Sequence, residues 1–147
     1  MSVTAYCSCS ECCGWHRGSA GWLYLDFWNK TTKAGNPYTG ETSSGRMPHQ
    51  YQPGLFSMDS LTSPWMIPVR LICPWLWMEE DGTLAADTRY YPYGTRMYVP
   101  EYGWGVVEDT GSAIKGQSKL DVYFYWHFRA EEWGRQNLEV SIESPEQ

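Results

Sequence analysis

Clean alternation of apolar and polar positions begins only after residue 82. Residues 83–87 (TLAAD) read as a short strand ending on a carboxylate, and 95–99 (TRMYV), 104–109 (WGVVED) and 119–124 (KLDVYF) read as further strands. Turn formers separate them: Pro92-Tyr93-Gly94, then Tyr102-Gly103, then the glycine-bounded loop TGSAIKG at 110–116. Residues 128–134 (FRAEEWG) predict a short helix closed by glycine, and 137–142 (NLEVSI) a last strand. Ahead of residue 82 the pattern is weaker. Residues 2–6 (SVTAY) predict a first strand. Residues 22–29 (WLYLDFWN) are compatible with another, and 50–64, with two prolines, read as a surface excursion. Residues 65–77 (WMIPVRLICPWLW) are apolar enough for a buried strand that Pro68 and Pro74 interrupt. Short strands and one short helix predict a mainly β fold, a small barrel.

Composition narrows the partner. A chain of 147 residues fits one domain with a real core. A net charge of −6 leaves no basic stripe to neutralise phosphates, so a nucleic-acid partner is disfavoured, as is an anionic membrane surface. No apolar run approaches the roughly 20 residues of a membrane span. Nine Trp and eleven Tyr exceed what a core this size needs, and flat rings also suit a groove where sugar faces stack. For Trp15, Trp22, Trp28, Trp65, Trp75 and Trp77, burial in the core or beneath a loop is the favoured reading. No signal peptide is visible, which suggests either a trimmed mature domain or a protein exported without one, as phage lysins are.

Cys7, Cys9, Cys12 and Cys13 crowd into C-x-C-x-x-C-C, and Cys73 stands apart. An odd count leaves at least one thiol outside any intrachain bridge. Disulfides, one of them tying Cys73 to the cluster, are favoured over a metal site, for which only His16 and Cys73 suggest themselves as further ligands. His16, His49 and His127 are not spaced like a metal site and stay unassigned.

Three aspartates carry the chemistry. Asp87 and Asp109 end strands, where Asp most often caps a turn. Asp121 differs, because it lies between Leu120 and Val122 inside a strand. A carboxyl among apolar neighbours must be paired, hydrogen-bonded or raised in pKa. A carboxyl still protonated near neutral pH is what a general acid for glycoside cleavage needs.

Residues 82–124 closely resemble the 3D domain, a family named for three aspartates. The chain carries an A-x-D-x-x-x-x-P-x-G-T strand–turn, an EDTGSAIKG loop and an L-D-x-Y-F strand in order, with Asp87, Asp109 and Asp121 at the naming positions. AEEWGRQNLEV at 130–140, VTAYCSCSECCG near the start and TSSG at 42–45 resemble further family features. The resemblance implies a six-stranded double-psi β-barrel spanning 1–147, with long aromatic-rich insertions at about 15–41 and 50–80. It is similar to the barrel of MltA-type lytic transglycosylases and to stationary-phase-survival proteins. It implies cleavage of the MurNAc–GlcNAc bond of peptidoglycan with formation of a 1,6-anhydro ring, without cofactor or metal, in the cell envelope or outside the cell. By position, Asp121 is the single acid/base, Asp109 tunes it, and Asp87 organises the site. Thr110, Gly111, Lys115 and Gly116 would meet the sugar, with Thr42 and Tyr6 on the site wall.

Two departures matter. Ser112 stands where a second glycine is common, and aromatic-rich insertions of about 60 residues in all lie between the first strand and Gly82. Two other readings therefore stand: an inverting hydrolase of another β-1,4-linked polysaccharide that uses Asp109 with Asp121, and a non-catalytic, expansin-like wall-binding module.

Overall fold

The computed structural model describes residues 1–17, 30–54 and 64–143. Strand β1 is Ser2–Tyr6, and two short strands, β2 (His16–Arg17) and β3 (Lys30–Thr31), form a separate antiparallel pair. The remaining strands are β4 (Gly82–Ala85), β5 (Arg96–Val99), β6 (Gly103–Asp109), β7 (Lys119–Tyr123), β8 (Gln136–Asn137) and β9 (Ser141–Glu143). Together with β1 they make one seven-stranded sheet in the order β8-β1-β7-β4-β6-β5-β9.

Chain length forces this sheet to curl. If it were flat, β8 and β9 would lie six strand spacings apart, about 29 Å. Only residues 138–140 separate them in sequence, a span of at most about 14 Å between the flanking Cα atoms. Leu138 and Val140 pack against the core on the way, and Leu138 exchanges backbone hydrogen bonds with Met1 at 2.5 and 2.9 Å. The strand predicted over 137–142 is thus two strands serving opposite edges, which is why the sheet has seven strands rather than six.

β4 lies at the centre, parallel to β6 and antiparallel to β7, and all four of its residues are buried. Val3, Leu84, Met97, Val99, Val107, Leu120 and Val122 fill the core, closed by Tyr102, Phe124 and Trp133 in edge-on or tilted ring contacts. Gly82 permits this packing, because a Cβ there would stand 2.2 Å from the Tyr102 hydroxyl.

Helices are more numerous than the one predicted. Helix α1 (Ser10–Cys13) follows β1, α2 is Met66–Ile72, a 3₁₀ turn covers Pro74–Leu76, and α3 (His127–Trp133) closes on Gly134. The buried strand expected over 65–77 is therefore a helix and a turn, and it is open to solvent: Trp65 is 70% exposed, Leu71 57% and Ile72 79%. Pro68 does not prevent the helix. It sits in the first turn, where backbone N–H groups lack intrahelical acceptors in any case. Burial of Trp65 and Trp77, expected from the sequence, does not occur. Trp15 is half-buried, with its indole N–H donating to the Ser8 carbonyl at 2.9 Å and its ring stacked on Tyr38. The strand expected over 22–29, Trp22, Trp28 and the Trp75 side chain lie outside what is described.

Leu84→Ala is expected to cost about 2–5 kcal/mol in urea unfolding, as a cavity in a packed core does. Leu71→Ala, on the exposed helix, should stay within about 0.5 kcal/mol of the parent. Equal losses would contradict the exposed placement of α2.

Candidate functional site

Alternate residues of a strand face opposite sides of a sheet, so register decides which carboxylate looks where. Along β4 and β6 the pairing runs Thr83 with Val106 and Leu84 with Val107, then slips by one so that Ala85 meets Asp109 instead of Glu108. On the other side Ala85 pairs with Asp121 of β7. One small residue thus stands between the two acids. All three border a cavity of about 300 Å³, shared with Tyr6, Thr42, Thr110 and Gly111.

The slip sends Glu108 elsewhere. It is buried, accepting from Arg46 at 2.8 Å and from the Thr83 hydroxyl at 3.0 Å. Arg46 closes the turn that follows Thr42, through Thr42 N–H to the Arg46 carbonyl at 2.7 Å. That turn aims Ser43 at Asp109. Oδ1 of Asp109 accepts from the Ser43 N–H at 3.0 Å, the Ser43 hydroxyl at 2.5 Å and the Thr110 N–H at 2.8 Å. Oδ2 accepts from the Tyr6 hydroxyl at 3.0 Å. Burial, and then the neighbouring Asp109 charge, push the Tyr6 phenol well above its ordinary range, so it remains a donor. Asp109 is an acceptor fixed in place by four donors.

Asp121 is placed differently. Thr4, its register partner on β1, donates a hydroxyl hydrogen bond to Oδ1. Burial raises its pKa to about 6, with the Asp109 charge adding to the rise and Arg135 opposing it. A carboxyl that titrates there holds its proton in mildly acidic solution and gives it up readily near neutrality, as general acid and base work demands.

Asp87 does not join them. Its buried carboxylate receives Arg89 in a two-pronged pair at 2.9 and 2.6 Å, and it accepts the Gly116 N–H at 2.8 Å. Arg89 and that N–H hold the carboxyl well below the usual carboxylate range. It is absent from the cavity lining. Asp87 is a brace that ties the 110–116 loop to the end of β4.

The loop itself needs its glycines for its own shape. A Cβ on Gly111 would meet Ile114 at 2.8 Å, and Gly116 holds a left-handed φ of 92°. Thr110 and Gly111 border the cavity, whereas Lys115 and Gly116 do not, and the Lys115 side chain is exposed. Sequence reasoning missed Ser43 and Thr4, the groups that hold the two acids. Their only signals were adjacency to Thr42 and alternation with Tyr6.

The cysteines also depart from expectation. All five are free thiols, and no bridge joins Cys73 to the cluster. His127, left unassigned by its spacing, stands beside Cys7, Cys9 and Cys12. His16 is on β2 and not part of that group.

Residues 82–143 match the model of the 3D domain family. Two proteins of Bacillus subtilis (strain 168) are similar over the same length of chain. The putative cell wall shaping protein YabE is 39% identical over 59 residues, 40% of this chain and 14% of its own length. The cell wall-binding protein YocH is 37% identical over 59 residues, 40% of this chain and 20% of its own length. The chain therefore spans only a small part of either relative. Among the described residues no helix is long and apolar enough to cross a membrane.

Carbon-13 NMR of the Asp121 carboxyl should give a titration midpoint near pH 6. Arg135→Gln is expected to raise that midpoint and Asp109→Asn to lower it. Since the folded chain keeps this proton where the unfolded chain has released it, Asp121 lowers stability as pH rises from about 4 through 6. Asp121→Asn should remove that part of the decline. A midpoint near 4 would contradict the site's electrostatics.

Proposed function

We propose that the cleft cleaves the MurNAc–GlcNAc β-1,4 bond of peptidoglycan by lytic transglycosylation, on a barrel of the double-psi type working at the cell envelope or outside the cell. The observation that carries this reading is Asp121, half-buried, raised to about 6 and set across Ala85 from the firmly held Asp109. The 3D domain match and the names of the two relatives, a cell wall shaping and a cell wall-binding protein, support the wall as the substrate.

In this mechanism protonated Asp121 gives its proton to the glycosidic oxygen as the C1–O bond breaks. Positive charge then builds at C1 and the ring oxygen, and the Asp109 carboxylate stabilises it. The C6 hydroxyl of the same MurNAc attacks C1, and its proton passes to the Asp121 carboxylate, restoring the acid. No water is consumed, and one residue serves as acid and then base. Thr4 orients Asp121 through its hydroxyl. Ser43, Thr110 and Tyr6 keep Asp109 from swinging into the sugar's place.

A second reading, wall binding without turnover, is favoured by the printed name of YocH. A third, inverting hydrolysis by Asp109 and Asp121 with a water, needs one of the two to act as base. Four donors already hold Asp109 in place, which leaves it little freedom to reorient toward a water and weighs against that role for it.

Digestion of purified sacculi and of soluble cellulose, each followed by mass spectrometry, separates the three. Lytic cleavage releases anhydromuropeptides, lighter by one water than hydrolytic products; hydrolysis gives reducing ends; binding alone gives neither. Asp121→Asn is expected to reduce anhydromuropeptide release by at least about 100-fold with the fold intact. Asp87→Asn should instead lower the thermal midpoint, because it breaks the Arg89 pair. Full activity in Asp121→Asn would overturn the assignment of the acid.

A further inference from the structure

The N-terminal cysteines and the one helix packed beside them converge on a point the proposed reaction does not use. Cys7 directly follows β1, Cys9 caps α1, and Cys12 lies within α1. His127 opens α3, far away in sequence. Folding brings one ligand atom from each of these four residues within 4.8 Å of every other.

The spacings are those of a tetrahedron around an ion. With metal–sulfur bonds of about 2.3 Å and a metal–nitrogen bond of about 2.05 Å, tetrahedral angles require S···S near 3.8 Å and S···N near 3.6 Å. Cys7 Sγ lies 3.7 Å from Cys12 Sγ. His127 Nδ1 lies 3.6 Å from Cys7 Sγ, 3.2 Å from Cys9 Sγ and 3.7 Å from Cys12 Sγ. A disulfide would draw two sulfurs to about 2.05 Å, and none of these pairs is so drawn.

A second observation is independent of the sulfurs. The other ring nitrogen of His127, Nε2, faces Glu11 at 3.0 Å and Glu131 at 3.3 Å. Donation of Nε2–H to a carboxylate leaves the Nδ1 lone pair directed at the three sulfurs, and such carboxylate–histidine support is how metal-ligating imidazoles are held. The Cys12 N–H also points at Cys9 Sγ, at 3.4 Å, as backbone donors do around a ligating thiolate. Cys13 is excluded, since its thiol turns away to donate to the Cys7 carbonyl at 3.2 Å.

We propose that Cys7, Cys9, Cys12 and His127 bind a zinc ion in a closed, structural S₃N site. Three thiolates and an imidazole suit zinc's borderline softness and its indifference to geometry beyond the tetrahedron, and four protein ligands leave no open position for catalysis. On binding, each thiol that still carries its proton releases it to solvent as its sulfur takes up the metal. The site pins the Cys7–Cys13 loop to α3. Since Ser8, Cys12 and Cys13 border the cavity of Asp109 and Asp121, the metal would fix one wall of that cleft.

The full chain, free of any affinity tag and purified with reductant but no chelator, is tested by elemental analysis and native mass spectrometry. About one zinc per chain is expected. Replacement by cobalt(II) should give the intense visible bands of a tetrahedral ion together with thiolate-to-cobalt charge transfer. Cys12→Ser and His127→Ala are expected to lose the stoichiometric metal, whereas Cys13→Ser and Cys73→Ser keep it. Glu131→Gln should weaken zinc binding by about 10-fold. A folded parent chain that takes up neither zinc nor cobalt would overturn the proposal, whatever the variants do. So would a disulfide between Cys7 and Cys12 in protein handled without oxidant, or metal retained in Cys12→Ser and His127→Ala together.

Discussion

The one-residue slip between β4 and β6 is the constraint on which the cleft depends. Without it Ala85 would pair with Glu108, a carboxylate one methylene longer, instead of Asp109. With it, Asp109 turns into the cavity and Glu108 turns away to a buried pair with Arg46 and Thr83. That pair is no accident of packing. It anchors the turn that delivers Ser43 to Asp109, so the acid turned away helps to hold the acid turned in.

Two carboxylates flanking one alanine meet different surroundings, and this separates their roles. Asp109 collects four donors from three segments of chain. Asp121 is half-buried and receives Thr4, so the cost of desolvating its charge is not fully met and its proton is kept longer. The difference arises from β1 and the 42–46 turn, both remote in sequence from the acids they serve. Curling of the sheet, enforced by the short link between β8 and β9, is what brings those segments to the same mouth.

Where side-chain alternation and a buried face coincide, the sequence was readable. β1, β5, β6, β7 and α3 lie within a residue or two of their predicted bounds, and Asp109 and Asp121 share a cavity as expected. Strand-end position cannot tell a cleft acid from a brace, and for Asp87 only Arg89, two residues on, decides it. The segment 65–77 was misread because apolar content was taken for burial, whereas Trp65, Ile67, Val69, Leu71, Ile72 and Trp77 are exposed. His127 was invisible for a simpler reason. Its partners are more than a hundred residues away, and spacing rules see only local ligand pairs.

Central to this account is the placement of Asp121 at the scissile bond. The most direct measurement is a crystal structure of the Asp121→Asn chain with a bound glycan-strand fragment of alternating GlcNAc and MurNAc. The account predicts the linking oxygen within about 3 Å of the residue 121 side chain, with Asp109 beneath C1 of the MurNAc. A fragment seated along the exposed aliphatic helix at 66–72, with the cavity between β6 and β7 empty of sugar, would contradict it.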